Sequence, residues 1–160
     1  MKREECVAES RLVAACREKG VTVATAESCT GGLVAGRITS VPGASAVFVG
    51  GVVSYANAVK RDVLGVPQEV LDRVGAVSAE CAEAMARGAR ARLKAGMAVS
   101  VTGIAGPDGG TPQKPVGLVY LGVATAAGVR TECLRLSGDR EAIRRQAVER
   151  ALGLLLEAVG

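Results

Sequence analysis

Aromatic side chains are almost missing from this sequence. Phe48, Tyr55 and Tyr120 are the only three in 160 residues. Apolar residues still make up 49% of the chain, enough for a well-buried core at this length. That core must be assembled from Ala, Val, Leu and Ile. An aliphatic core of this kind suits helices packed on a Val-rich sheet.

The pattern along the chain follows the same logic. Residues 3–19 carry Cys6, Val7, Leu12, Val13, Ala15 and Cys16 at helical spacing, and Gly20 ends the run. "VTVAT" (21–25) reads as a short β-branched strand. "AESCTGG" leads into a helix through Thr39, and "VPGAS" (41–45) is a turn. "VFVGGVVSY" (47–55) reads as a buried strand, with Gly50-Gly51 marking a bulge or a close approach. "NAVKRDVLGV" is a short helix ending near Gly65, and "VPQEVLDRVG" another, with Pro67 near its first turn. Ser78 caps a long Ala-rich helix from Ala79 to Lys94. "MAVSVTG" (97–103) is a buried strand, followed by a Gly/Pro loop over 104–117. "LVYLGVATA" (118–126) and "VRTECLRLS" (129–137) form strands joined at Ala127-Gly128. Asp139 caps a last helix, Arg140 to Val159, whose Ile143, Ala147, Val148, Ala151, Leu152 and Leu155 make one stripe. The expected fold is α/β: a single domain over residues 1–160, three-layer α/β/α, with a mixed sheet of about five strands.

Several partners are disfavoured. The net charge of +4 permits an anionic ligand. Basic residues are interleaved with acids, as in "DREAIRRQAVER", and three aromatics supply no stacking platform, so nucleic acid is not an expected partner. No apolar run approaches the ~20 residues that span a bilayer, and Met1 to Ser10 lacks the apolar stretch of a signal peptide. A cytoplasmic protein with no membrane partner is expected. The five cysteines are scattered without a CxxC pair and read as reduced thiols. Without histidine or paired cysteines no zinc site is expected, nor any cofactor. Ala/Val-rich surfaces point to a homo-oligomer.

The absence of histidine bears most on chemistry. No Ser-His or Cys-His pair can form within the chain, so a serine or cysteine enzyme here must take Lys, a carboxylate or a water held by them as its base. "TAESCTGG" (25–32) sets Ser28, Cys29 and Thr30 beside two glycines at a strand-to-helix junction. The cluster reads as a capping turn, or as a nucleophile whose oxyanion is held by the N–H groups of Thr30, Gly31 and Gly32. Cys29 competes with Ser28, because a helix N-terminus lowers a thiol pKa, or else it packs as a small hydrophobe. Glu27 is expected to bond the adjacent backbone. Lys60, five residues beyond Tyr55, is the candidate base. A helix N-terminus and burial would both lower its pKa, with Arg61 adding to the effect if it faces the site. The alternative is a solvated helix lysine. In "GIAGPDGG", Gly103, Gly106, Gly109 and Gly110 would let backbone N–H groups approach an anion; the alternative is a plain connector.

Taken in order, "TAESCTGG", "GGVVSYANAVK", "GAVS", "SVTGIAGPDGG", "KPVGLVY" and "SGDREAIRRQ" resemble the C-terminal domain of the competence/damage-inducible CinA proteins, which also occurs alone as nicotinamide-nucleotide amidohydrolase. The resemblance runs from Val7 to Ala158, and a chain of 160 residues has no room for the larger N-terminal domain of full-length CinA. It implies hydrolysis of the carboxamide of nicotinamide mononucleotide to nicotinate mononucleotide and ammonia, in pyridine nucleotide salvage, by a metal-free Ser/Lys pair. The family's serine matches Ser28, its lysine Lys60 and its assisting tyrosine Tyr55. A further site serine matches Ser45, and a site arginine matches Arg140, with Arg144 and Arg145 close by. Thr30, Gly31, Gly32, Gly103, Ala105 and Gly106 are then expected to bind substrate. The 5′-phosphate would lie against the "GIAGPDGG" backbone or Arg140. The runner-up is a non-catalytic nucleotide-binding or regulatory module.

Overall fold

The computed structural model describes residues 7–160. The first helix, α1, covers Val7–Lys19, and residues 3–6 of its expected span, with Cys6, lie outside the described residues. The order continues β1 (Val23–Glu27), α2 (Leu33–Thr39), a 3₁₀ turn (Ala44–Ala46), β2 (Phe48–Val53), α3 (Asn57–Asp62), α4 (Gln68–Arg73) and α5 (Ala79–Arg92). It ends with β3 (Met97–Gly103), β4 (Leu118–Thr125), β5 (Gly128–Arg135) and α6 (Arg140–Val159). Among the described residues no helix is long and apolar enough to cross a membrane.

The chain forms a mixed five-stranded sheet in the order β2-β1-β3-β4-β5, with helices on both sides, as the sequence implied. β1 lies parallel to both β2 and β3, while β3, β4 and β5 form an antiparallel meander. The β2 register slips between Phe48 and Gly50, so the bulge falls next to the predicted glycine pair. β1 sits two residues later than expected. Glu27, polar and adjacent to the turn, is the strand's last residue because it pairs with Val53 on one side and Val101 on the other. The hairpin turn is Ala126-Ala127, since Thr125 pairs with Gly128.

Side chains alternate across a strand, and the two faces of this sheet differ in size. Val23, Met97, Val99, Val101, Val119 and Leu121 pack against Leu12, Cys16, Ile38, Ile143, Leu152 and Leu155 of α1, α2 and α6. The expected α6 stripe is wholly buried and extends to Leu154 and Val159. The opposite face carries Ala24, Ala26 and Ala98 beneath Cys81, Met85 and Ala89 of α5, with Leu64, Val66 and Leu71 closing the edge. Here α5 comes down onto the backbone. Ser100 Oγ donates to the Ala82 carbonyl at 2.6 Å, and a Cβ on Gly122 would stand 2.6 Å from that same oxygen. A face of Ala, Ser and Gly leaves no space for rings, which is the structural counterpart of the scarce aromatics.

Topology gathers the chemistry. The C-terminal ends of the parallel strands β1, β2 and β3 share one edge of the sheet, where ligands collect in α/β folds. Because β3–β4–β5 alternate in direction, β5 also ends at that edge and delivers the N-terminus of α6, with Arg140, to the same place.

Candidate active site

The site begins with a carboxylate that caps a helix. Glu27 is 1% exposed, and its two oxygens accept from Val34 N–H at 2.9 Å and Ala35 N–H at 3.1 Å. A buried carboxylate needs such donors, and the first turn of α2 supplies them. The chain between, Ser28 to Gly32, closes as a turn in which Gly31 N–H donates to the Ser28 carbonyl at 3.1 Å. Gly31 and Gly32 hold φ of 57° and 101°, a left-handed pair that side chains disfavour. Ser28 N–H donates to the Val101 carbonyl at 2.9 Å, fixing the serine to the end of β3.

Lys60 approaches that serine from α3. It is 1% exposed and heads the largest fully buried side chains of the described residues. Its Nζ stands 3.1 Å from Ser28 Oγ, and it donates to the carbonyls of Ser54 at 2.6 Å and Tyr55 at 3.1 Å. None of its hydrogen-bond partners is a carboxylate. Burial therefore pushes the amine below its ordinary value, with the nearby Cys81 and Cys29 opposing weakly. Two carbonyls absorb two N–H bonds of a neutral amine, and the lone pair is left for the Ser28 hydroxyl proton. Ser54 holds the arrangement from below, its N–H donating to the Glu27 carbonyl at 2.7 Å.

A cavity of about 220 Å³ opens over this pair. Tyr55, Asn57, Gly103, Ala105 and Arg140 line it together with Ser28, Cys29 and Lys60. Arg140 donates to the Gly106 carbonyl at 2.7 Å and to the Tyr55 hydroxyl at 3.3 Å. A larger groove, about 580 Å³, runs between α2 and α6 and shares Arg140 with the cavity. Arg144 and Arg145 line that groove, and Arg144 also donates to the Cys29 carbonyl at 3.0 Å.

The geometry settles the alternatives left by the sequence. Lys60 is a buried partner of Ser28, not a solvated lysine. Its depressed pKa comes from burial and not from a helix N-terminus, because Lys60 falls in the last turn of α3. Arg61 does not face the site; it is exposed and pairs with Asp62 at 2.8 Å. The Cys29 thiol is pushed up to about 11 by burial, so it packs as a thiol beside Ser28.

Four expectations are corrected. Of the three N–H groups expected to hold an oxyanion, that of Gly31 is taken by the Ser28 carbonyl, and the Val34 and Ala35 N–H groups that follow are taken by Glu27. Thr30, Gly31 and Gly32 do not line the cavity; Thr30 is fully buried, and its hydroxyl has no partner among the described residues. Ser45 lies in the 3₁₀ turn before β2, at the opposite edge of the sheet, with a strand of about 20 Å between it and Tyr55. Gly106 presents its carbonyl to Arg140 rather than an N–H to an anion.

Sequence reasoning missed Asn57, Ala76, Val77 and Thr102, all of which line the cavity. Asn57 was readable, since it precedes Lys60 by three residues on one helical face. Ala76 and Val77 arrive through a tertiary contact, with Thr102 Oγ1 donating to the Ala76 carbonyl at 2.9 Å. Lys114 of the Gly/Pro loop donates to the Val74 carbonyl and pins the same wall.

Comparison with known proteins agrees with the architecture. The family model of the CinA C-terminal domain matches residues 6–159. A CinA-like protein of Geobacter sulfurreducens is 55% identical over 139 residues, covering 87% of this chain and 34% of the relative. Another from Anaeromyxobacter dehalogenans is 55% identical over 144 residues, covering 90% and 35%. This chain thus spans about a third of the length of those relatives. The crystal structure of the competence/damage inducible protein CihA from Agrobacterium tumefaciens superposes with a TM-score of 0.92 at 46% identity, over 95% of this chain and 93% of that one. A CinA superfamily protein from Escherichia coli gives 0.91 at 32% identity, over 94% and 88%. By sequence and by fold, the chain belongs to the CinA C-terminal domain family.

Proposed function

We propose that this protein hydrolyses the carboxamide of nicotinamide mononucleotide, giving nicotinate mononucleotide and ammonia, through a Ser28 acyl-enzyme. The observation that carries the reading is the buried Lys60 amine 3.1 Å from Ser28 Oγ with its other bonds spent on backbone carbonyls. A pure binding module has no need of a desolvated lysine on a serine. In the forward step neutral Lys60 takes the Ser28 proton as the oxygen attacks the carboxamide carbon. Collapse of the tetrahedral intermediate breaks the C–N bond, and the amide nitrogen leaves as ammonia. Tyr55, whose hydroxyl accepts from Arg140, keeps its own proton available and relays one to the leaving nitrogen. Water then cleaves the ester and restores Ser28.

The cavity of about 220 Å³ is smaller than the ~300 Å³ at which ligand pockets usually begin. It suits the pyridine carboxamide alone. The ribose 5′-phosphate lies beyond Arg140, toward Arg144 and Arg145, where guanidinium groups suit a phosphate. The same reading includes a cytoplasmic location, supported by four free, unpaired cysteines among the described residues. It includes a homo-oligomer, supported by the exposed Val49 and Val53 on edge strand β2.

Ammonia release from nicotinamide mononucleotide by purified protein tests the proposal. Wild type is active with EDTA present, Ser28→Ala is inactive, and Lys60→Ala loses about 10²–10⁴-fold. Cys29→Ala retains activity. No ammonia from the wild type overturns the reading, and activity lost in Cys29→Ala but kept in Ser28→Ala overturns the choice of nucleophile.

A further inference from the structure

With Gly31 N–H spent in the turn, Val34 and Ala35 on Glu27, and Thr30 and Gly32 outside the cavity lining, a side chain in the cavity is left as the donor to the tetrahedral oxyanion. The cavity holds few. Arg140 is engaged with Gly106 and Tyr55, and Lys60 with two carbonyls. The side chain of Asn57 lines the same cavity as Ser28 and Lys60, and it makes no hydrogen bond among the described residues. It is exposed, in the first turn of α3, three residues before Lys60. A neutral amide carries both donors and an acceptor, which makes it complementary to another neutral amide.

The geometry points to Asn57 as the residue that reads the substrate's carboxamide: Nδ2 donates to the carbonyl oxygen, and holds it as it becomes an oxyanion, while Oδ1 accepts from the amide NH₂. This rests on the amidohydrolase reading above and goes beyond it, because it assigns the selectivity for amide over acid. The product carboxylate has no N–H to offer Oδ1 and sets a second acceptor against it, so the same side chain that grips the substrate helps to expel the product. Loss of a single preorganised oxyanion donor costs about 10²–10³ in kcat.

The test compares wild type, Asn57→Ala and Asn57→Asp on nicotinamide mononucleotide and on the methyl ester of nicotinate mononucleotide, with melting temperatures measured in parallel. Both variants are expected to melt with the wild type, since the Asn57 side chain is exposed and makes no hydrogen bond among the described residues. Each loses about 10²–10³-fold in kcat on the amide. On the ester, which presents no N–H to Oδ1, the loss in Asn57→Ala is about tenfold smaller, the size of one neutral hydrogen bond. Unchanged kcat on the amide in Asn57→Ala overturns the inference, as does an equal loss on amide and ester. A wild type that hydrolyses neither compound instead refutes the amidohydrolase reading on which the inference rests.

Discussion

A lysine that is buried without a carboxylate beside it has to be explained by what it touches. Lys60 touches the serine, and in the proposed mechanism its protonation decides whether that serine can be activated. Only the neutral amine can accept the Ser28 proton, so kcat/KM rises with pH through the Lys60 pKa. Burial pushes that value below the ordinary 10.5, so the rise is complete at a lower pH than a solvated lysine would give. Measuring kcat/KM from neutral to alkaline pH checks this. Lys60→Arg keeps the charge but never yields a lone pair, so it is inactive throughout the range. Recovery of Lys60→Arg at high pH rules out the base role. The neighbouring thiol acts in the opposite sense. Burial holds Cys29 protonated, which sets it apart as a packing residue and leaves Ser28 as the proposed nucleophile.

Among the elements, α5 has the narrowest tolerance. Its seat is the small-residue face of the sheet, where Ser100 bonds its backbone and Gly122 lies against the Ala82 carbonyl. A methyl group at Gly122 meets backbone oxygen at 2.6 Å, and neither partner can rotate away. Gly122→Ala is expected to destabilise by about 1–3 kcal/mol, the usual cost of overpacking. Calorimetric melting reads that cost, and an unchanged melting temperature rejects the close-seat explanation. Because α5 also follows Ala76 and Val77 of the cavity wall, the same variant is expected to lose activity as its helix is displaced. α2 shows another kind of dependence. Its first turn is capped from outside by Glu27, so a strand residue secures the helix and the intervening turn carries Ser28.

At the scale of the whole molecule, the sequence was informative wherever local pattern and tertiary environment agree. The β3 run "MAVSVTG" and the α6 segment after Asp139 match the structure residue for residue. Each is a strong periodic signal between clear breakers. Glu27 was misplaced because a polar residue before a turn reads as loop, whereas two flanking strands hold it in the sheet. Ser28 and Lys60 could be singled out because a chain without histidine leaves few bases. Their contact, across 32 positions of sequence, is a property of the parallel β1–β2 pair and not of either motif. The fate of the α2 amides and the remoteness of Ser45 were not legible for the same reason. Both depend on which strand end a loop occupies.

The burial of Lys60 without a carboxylate partner has a last consequence, for the stability of the fold itself. In the unfolded chain the amine titrates at its ordinary value, 10.5, and in the folded protein lower. Between those two values the unfolded state binds the extra proton, so stability rises with pH across that window and the penalty is largest below it. Lys60→Met, similar in length and apolar, removes the penalty together with the proposed base. It is expected to melt about 2–4 °C higher near neutral pH, the equivalent of about 1 kcal/mol in a domain of this size. The gap closes as the pH approaches 10.5. The buried amine thus announces itself in a melting curve, with no substrate in the cell: the domain is held below its attainable stability by the group that the proposed reaction needs.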